Sequence, residues 1–145
     1  MHLTIDGYGG DRELLSSEVL VSSLLDRFPG EINMTKISEP LVFEYSGVKP
    51  EDWGVTGFVI IAESHISVHT FPEYGYVWVD IFSCKEFEAP SALDRIVDTF
   101  GLTHVTERIL ERGLEYPHAV DQARPIARYE RSAVAGALAE AGGGG

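Results

Sequence analysis

Three strand-like segments follow one another between residues 55 and 82, and they constrain the fold more than any other feature of the chain. Residues 55–62 form a continuous apolar run that is typical of a buried strand. Around residues 66–70, apolar and polar side chains alternate, as they do in a strand with one buried face. Residues 76–82 form the third segment, after a turn that contains proline and glycine. Connections this short predict that consecutive strands pair antiparallel.

Helix-like segments and further strands flank this central region. Asp11 is placed to cap a helix whose apolar residues recur at helical spacing as far as Phe28, and the Pro-Gly pair that follows is expected to end it. A second helix is expected between Pro90 and Gly101. The other expected strands are residues 2–8, one or two within 31–46, and 103–112. We therefore predict an α+β two-layer sandwich, an antiparallel β-sheet with two helices on one face.

The domain organisation follows from length and from the composition of the C-terminal part. Residues 1–115 are predicted to form a single domain, which is an ordinary size for one. Residues 116–145 are polar, then alanine-rich, and finish in four glycines, so a flexible extension is expected there. No internal repeat is visible at the periods typical of solenoid proteins.

Charge and cysteine usage narrow the function classes. The net charge of -12 argues against nucleic-acid and anionic-membrane partners, which need clustered basic residues. Because Cys84 is the only cysteine, a disulfide framework and a multi-thiolate metal site are excluded, and a cytoplasmic location is expected. No basic-then-apolar leader follows Met1, and no apolar run approaches the roughly 20 residues of a membrane span.

Reactive side chains are concentrated in residues 63–73. A serine hydrolase fits poorly, because the G-x-S-x-G motif is absent and strand alternation would turn His65 away from Ser64. A zinc site also fits poorly, because His65 and His69 have the i, i+4 spacing of a helix in a segment that predicts a strand. The simplest interpretation of each residue alone is a polar side chain on the solvent side of a strand.

The longer string resembles a known family. Residues 63–76 read ESHISVHTFPEYGY and residues 79–84 read VDIFSC. The bacterial and archaeal S-adenosylmethionine decarboxylases of the short type read E-S-H-x-S-I-H-T-W-P-E-x-G-Y, then V-D-x-F-T-C. The resemblance implies a cytoplasmic enzyme of polyamine (spermidine) biosynthesis, with a small amino-acid-type substrate and a homodimer whose active sites lie at the interface.

The resemblance also implies a covalent cofactor made by self-cleavage. Ser64 would attack the carbonyl of Glu63, and elimination from the resulting ester would leave a pyruvoyl group derived from Ser64. Residues 1–63 would become a β chain and residues 64–145 an α chain. The pyruvoyl carbonyl would form a Schiff base with the substrate and accept the electrons released with CO₂.

Individual roles come from the matching motif positions. His69 matches the base of the elimination, and Thr56 matches a residue, usually serine, whose hydroxyl binds the tetrahedral adduct. Cys84 matches the proton donor of turnover, and Glu73 matches the acid that binds the ribose hydroxyls.

The aromatic clamp for the substrate's adenine departs from the family pattern. The loop at residues 48–57 is two residues longer than F-S-P-x-G-V-S-G, and Val48 aligns with the phenylalanine. Trp53 either replaces that phenylalanine or anchors the loop. Phe71 replaces the usual tryptophan and keeps a stacking face.

Two alternatives stay open on the sequence alone. The altered clamp, with Glu51, Asp52 and Glu73 nearby, would also suit arginine or ornithine as the substrate of the same pyruvoyl chemistry. The second alternative is an inactive homologue that acts as a regulatory partner, although the intact processing and catalytic residues speak against it.

Overall fold

The computed structural model of the protein describes residues 1–112, which form an antiparallel β-sheet covered on one face by α-helices. The strands are β1 (His2–Tyr8), β2 (Leu41–Ser46), β3 (Trp53–Ile61), β4 (Ser64–Phe71), β5 (Tyr76–Ser83) and β6 (His104–Leu110). The α-helices of this part of the chain are α1 (Arg12–Leu15), α2 (Glu18–Glu31) and α3 (Ala89–Phe100), and a 3-10 turn covers Pro72–Tyr74.

The strands lie in the order β2-β3-β4-β5-β1-β6. Strands β2 to β5 form a meander, and β1 pairs antiparallel with both β5 and β6. Val59, Ile66 and Ile81 lie opposite one another on β3, β4 and β5, and all three side chains are buried. The predicted pairing of the central strands and the predicted α+β sheet class are therefore confirmed.

The core lies between this buried face of the sheet and helices α2 and α3. Helix α2 packs closely over β3, where Gly57 has no side chain to hold it away. A Cβ at Gly57 would lie 2.6 Å from Leu25 Cδ1 and 2.7 Å from Val21 Cγ1, both on α2. Glycine is thus required for the close approach of helix and strand.

The opposite face of the sheet, the open face, is covered by no helix within residues 1–112. It is unusually rich in aromatic and aliphatic side chains, and Phe43 and Trp78 keep 62% and 47% of their surface exposed. Other exposed members are Leu41, Tyr45, Phe58, Ile60 and Tyr76. Because apolar patches of this kind commonly mark contact surfaces, the open face is the natural place for a partner or a ligand.

The first predicted helix is wrong in two respects. It is two helices, because the Ser17 hydroxyl accepts the N–H of Leu20 and so caps a new helix, α2. Pro29 does not end α2, which continues to Glu31. Proline removes one N–H donor, whereas the residues after it still donate to carbonyls one turn back, so the last turn survives.

The flanking predictions are confirmed only in part. Within residues 31–46 the strand is confined to β2, which begins directly after Pro40, and Lys36 makes an isolated bridge to Ile61. The predicted domain end at residue 115 and the expected extension at 116–145 lie outside the described residues.

Candidate active site

The Glu63–Ser64 peptide lies where the β3–β4 hairpin enters β4, after a connection of only Ala62 and Glu63. The carbonyl oxygen of Glu63 accepts a 3.0 Å hydrogen bond from the backbone N–H of Cys84. The Glu63 carboxylate accepts the N–H of Thr35 at 3.1 Å. Both the backbone and the side chain of Glu63 are therefore held in place, and the acyl side of the peptide bond has a fixed hydrogen-bond donor.

Ser64 has an unusual backbone conformation and a close imidazole neighbour. Its φ angle is 157°, outside the range that residues with side chains ordinarily adopt. Its Oγ lies 3.1 Å from Nδ1 of His65. The expectation that strand alternation separates these two side chains is wrong, because Ser64 is the first residue of β4 and its φ departs from that of a regular strand.

The His65 ring is held between two aromatic side chains on the open face. It stacks on Phe58 at 5.3 Å between ring centroids and meets the edge of Phe82 at 5.7 Å. Burial lowers the pKa of His65, nearby His2 lowers that pKa further, and Asp80 opposes the shift. The imidazole next to Ser64 is therefore neutral at physiological pH and able to accept a proton.

Cys84 completes a group of residues at this end of the sheet. It follows the last residue of β5, Ser83, which lies opposite Ser64 in the β4–β5 ladder. Its thiol is exposed. We call Glu63, Ser64, His65 and Cys84 the scissile cluster.

A second group lies further along β3 and β4. Thr56 and His69 are directly opposite each other, and Thr56 Oγ1 lies 3.2 Å from His69 Nδ1. They border a cavity of about 280 Å³. Its lining consists of Tyr45, Asp52, Trp53, Gly54, Thr56, His69, Thr70 and Phe71. We call Thr56, His69, Trp53, Phe71 and Glu73 the pocket cluster. Glu73 is included because it accepts a hydrogen bond from Trp53, which lines the cavity.

Glu73 fixes the orientation of Trp53. Its Oε1 accepts hydrogen bonds from the Arg12 guanidinium and, at 3.1 Å, from the indole Nε1 of Trp53. The hydrogen bond from Arg12, followed by that from Trp53, holds the pKa of Glu73 below its ordinary value. Glu73 is therefore a carboxylate at neutral pH, and Trp53 both lines the cavity and is anchored at its edge.

The structure brings the members of each cluster together, but it does not bring the two clusters together within one chain. Ser64 and His69 are five residues apart on the same extended strand, β4. At about 3.3 Å per residue their Cα atoms are roughly 16 Å apart. One copy of the chain therefore does not place its own His69 beside its own Ser64.

Three residues with direct contacts to the site residues were missed by the sequence reasoning. Strand alternation predicts that the side chain of His65 points away from Ser64, so the sequence does not indicate their contact. Thr35 and Arg12 are 28 and 61 residues from their partners Glu63 and Glu73, and no local pattern connects such distant positions. Of the three residues, only His65 is adjacent in sequence to its partner, Ser64.

Neither a candidate metal site nor a membrane-spanning helix is present in residues 1–112. No group of three or more histidine, cysteine, aspartate or glutamate side chains there could hold a metal ion. No helix in the same range is long and apolar enough to cross a membrane.

Comparison with known proteins identifies the family. A family model described as S-adenosylmethionine decarboxylase matches residues 1–113. The chain belongs to the S-adenosylmethionine decarboxylase family. This confirms the resemblance carried by residues 63–76 and 79–84, and the match covers nearly all of the chain outside the C-terminal segment.

Similar proteins support the assignment to the S-adenosylmethionine decarboxylase family, because they match this chain over most of its length. The chain is 39% identical over 114 residues to an S-adenosylmethionine decarboxylase proenzyme of Picrophilus torridus, covering 78% of this chain and 83% of that protein. It is 34% identical over 113 residues to a proenzyme of the same name from Archaeoglobus fulgidus, covering 77% of this chain and 96% of that protein. The crystal structure of the adenosylmethionine decarboxylase from Aquifex aeolicus has the same fold, with a TM-score of 0.65 and 32% identity, covering 78% of this chain and 89% of that one.

Proposed function

We propose that the protein is a self-processing, pyruvoyl-dependent S-adenosylmethionine decarboxylase that makes its cofactor from Ser64 by breaking the Glu63–Ser64 bond. The observation that carries this proposal is the hydrogen bond from the Cys84 N–H to the Glu63 carbonyl oxygen. That oxygen becomes negatively charged when Ser64 attacks the carbonyl carbon. A donor that already points at it stabilises the charge without reorganisation. The residues around Ser64 therefore fit a pyruvoyl precursor.

The first step converts a peptide bond into an ester. Ser64 Oγ loses its proton and bonds to the Glu63 carbonyl carbon, whose oxygen becomes an oxyanion facing the Cys84 N–H. Collapse of this adduct breaks the bond to the Ser64 nitrogen, which takes up a proton and becomes a free amine. The unusual φ of Ser64 favours the step, because breaking the peptide bond releases the backbone strain of that conformation.

The second step eliminates the ester. A base removes the Ser64 Cα proton, the Cβ–Oγ bond breaks, and Glu63 leaves as the terminal carboxylate of residues 1–63. The dehydroalanine that remains hydrolyses, loses ammonia and becomes the pyruvoyl group at the start of residues 64–145. We assign the base to His69 and its orientation to Thr56, which would accept the Nδ1 proton and leave Nε2 basic.

We assign this His69 to a second copy of the chain, and the strand geometry supports that assignment. Ser64 and the His69 of the same chain lie at separate positions on β4, roughly 16 Å apart. A homodimer joined through the open face would bring the scissile cluster of one copy to the pocket cluster of the other. The exposed aromatic residues of that face supply the apolar contact area. Twofold symmetry then forms the complete site twice.

The cavity of the pocket cluster suits S-adenosylmethionine. Trp53 and Phe71 offer aromatic faces for the adenine ring, and the ionised Glu73 offers an acceptor for the ribose hydroxyls. The alternative substrates arginine and ornithine are less favoured, because the negative charge of Glu73 is already paired with Arg12. The intact scissile cluster likewise disfavours an inactive homologue.

Turnover then needs a proton donor and a reduced thiol. Once formed, the pyruvoyl carbonyl would bind the substrate amine and accept the electron pair released with CO₂. The exposed Cys84 thiol would return a proton to the α-carbon. A free thiol with this task favours the reducing cytoplasm, and the decarboxylated product would serve spermidine synthesis.

Intact mass spectrometry combined with a CO₂-release assay tests the proposed function. We expect two fragments, residues 1–63 and a 64–145 chain without a free N-terminal amine, and CO₂ release from S-adenosylmethionine but not from arginine or ornithine. Ser64→Ala should stay a single chain, whereas Ser67→Ala on the same strand should mature normally. A wild-type protein that keeps its full-length mass after prolonged incubation would show that the proposal is wrong.

A further inference from the structure

The contact between Ser64 and His65 places a possible proton acceptor beside the Ser64 hydroxyl. Ester formation requires a group that takes the hydroxyl proton of Ser64. His69 of the same chain lies roughly 16 Å away along β4, and the His69 of a second copy is already assigned to the later elimination. His65 Nδ1 lies 3.1 Å from Ser64 Oγ, within direct proton-transfer distance.

We propose that His65 is the catalytic base that accepts the Ser64 hydroxyl proton during ester formation, within the same chain. This inference rests on the proposed self-processing and divides its two steps between two histidines. Nδ1 of His65 takes the proton as Oγ bonds to the Glu63 carbonyl carbon. The imidazolium then returns a proton to the Ser64 nitrogen as the carbon–nitrogen bond breaks. Atoms and charges balance, and His65 ends the step neutral.

The surroundings of His65 suit a base that acts before cleavage. Phe58 and Phe82 pack against the ring, and its Nδ1 lies on the Ser64 side. Burial keeps the pKa of His65 below its ordinary value, which leaves the nitrogen unprotonated at neutral pH. The ring is thus ready to accept a proton without first losing one.

Charged and titratable groups reach His65 from three directions. They are His2 on β1, Asp80 on β5 and Arg112 beyond β6. His2 and Arg112 disfavour the imidazolium, and Asp80 favours it. Asp80 accepts a 3.0 Å hydrogen bond from Nε2 of His2, so its charge is shared with that neighbour. The negative charge of Asp80, reduced by its hydrogen bond to His2, would stabilise the His65 imidazolium only moderately. His65 could therefore accept a proton and then release it.

The test measures ester formation alone, in a His69→Ala background in which elimination is blocked. Hydroxylamine cleaves the ester but not the peptide, so the amount of fragment 1–63 reports the ester. We expect His65→Asn, which keeps an acceptor near the Nδ1 position, to slow ester formation about 100-fold. His65→Ala should be similarly slow, and added imidazole should restore its rate.

The pH profile separates a base from a structural residue. The rate with His65 present should fall as pH drops below the ordinary imidazole pKa, and His65→Asn should abolish that fall. His2→Gln is the matched control, and it should keep the fall because it leaves His65 in place. Circular dichroism of each variant checks that it is folded.

Each outcome has a definite meaning. If folded His65→Asn or His65→Ala forms ester as fast as its parent, or if the pH-dependent fall persists without His65, the assignment of the base is overturned. An otherwise wild-type His65→Asn chain that accumulates ester would also overturn it, because His65 would then act in the elimination. If the His69→Ala parent forms no ester while the wild-type chain still cleaves, His69 is needed for ester formation and the assignment to His65 is overturned. If the wild-type chain does not cleave either, the proposed self-processing fails instead.

Discussion

The backbone N–H of Cys84 donates a 3.0 Å hydrogen bond to the carbonyl oxygen of Glu63, so the residue proposed to protonate the product also holds the bond to be cleaved. The two tasks use different parts of the residue. In the proposed mechanism, the backbone N–H serves processing and the exposed thiol serves turnover. A change of the side chain alone therefore separates them, because alanine keeps the N–H.

Cys84→Ala is expected to cleave at the wild-type rate and to decarboxylate about 100-fold more slowly, since a positioned general acid contributes at least that much. Without the thiol, the intermediate is protonated on the cofactor side, which transfers the substrate amine to the cofactor and inactivates the enzyme. Intact mass, CO₂ release and the number of turnovers before inactivation measure the three effects. A variant as fast and as durable as wild type would make Cys84 a packing residue.

His69→Ala is expected to stop at the ester, because its proposed task begins after the ester has formed. The ester chain should be split by hydroxylamine and should form no pyruvoyl group. Maturation at the wild-type rate would remove His69 from the role of base.

Co-expression of Ser64→Ala with His69→Ala tests the shared site. In a mixed dimer, the Ser64 of one chain would meet the His69 of the other, so the His69→Ala chain should mature. The matched control pairs His69→Ala with the double variant Ser64→Ala/His69→Ala, which supplies no histidine and should give no maturation. Equal yields of cleaved chain from the two pairings, measured by mass spectrometry, would mean that each site is built within one chain.

Thr56 is expected to act through its hydroxyl, which lies 3.2 Å from His69 Nδ1. Thr56→Val keeps the shape of the side chain but cannot orient the imidazole, so we expect elimination to slow about tenfold, in line with the loss of one hydrogen bond. Thr56→Ser restores the hydroxyl and should mature at nearly the wild-type rate. The time course of fragment appearance measures the maturation rate of both variants. Similar rates for Thr56→Val and Thr56→Ser would show that the hydroxyl of Thr56 does not contribute to elimination.

The sheet was predictable because its signals are local. Alternation and short turns between residues 55 and 82 define strands that pair with their sequence neighbours, and the observed pairing follows them. The Pro-Gly pair predicts that the first helix ends after Phe28, but α2 continues, because the residues after Pro29 keep backbone hydrogen bonds and Phe28 and Pro29 are buried.

The sequence motif names candidate site residues, but it does not predict their geometry. The motif identifies Ser64 and His69, but it does not indicate how far apart they lie. The distance between two side chains depends on backbone conformation, and here the residues are separated along an extended strand. The Ser64–His65 contact arises from a φ of 157°, which no propensity indicates for serine. Arg12 reaches Glu73 only through the folded chain.

Glu73→Gln is expected to weaken substrate binding by releasing Trp53. Glu73 Oε1 accepts the indole N–H of Trp53 and the Arg12 guanidinium, and glutamine lacks the charge that strengthens both bonds. Loss of a hydrogen bond to a charged group should raise the KM for S-adenosylmethionine about tenfold while kcat changes little. Glu51→Gln, a change in the same loop region as Trp53, is the matched control and should leave KM unchanged.

The pH dependence of this contact has a definite sign. Because the Arg12 and Trp53 hydrogen bonds lower the pKa of Glu73, the carboxylate and its contacts are fully present above the ordinary carboxyl pKa. They are lost only as pH falls below that value, through the lowered pKa of the folded protein. The fluorescence of Trp53 in a Trp78→Phe background should therefore be constant at neutral pH and change in this acidic range. Adding Glu73→Gln should remove the transition, and a transition that persists would assign it to another group and leave Trp53 without its proposed anchor.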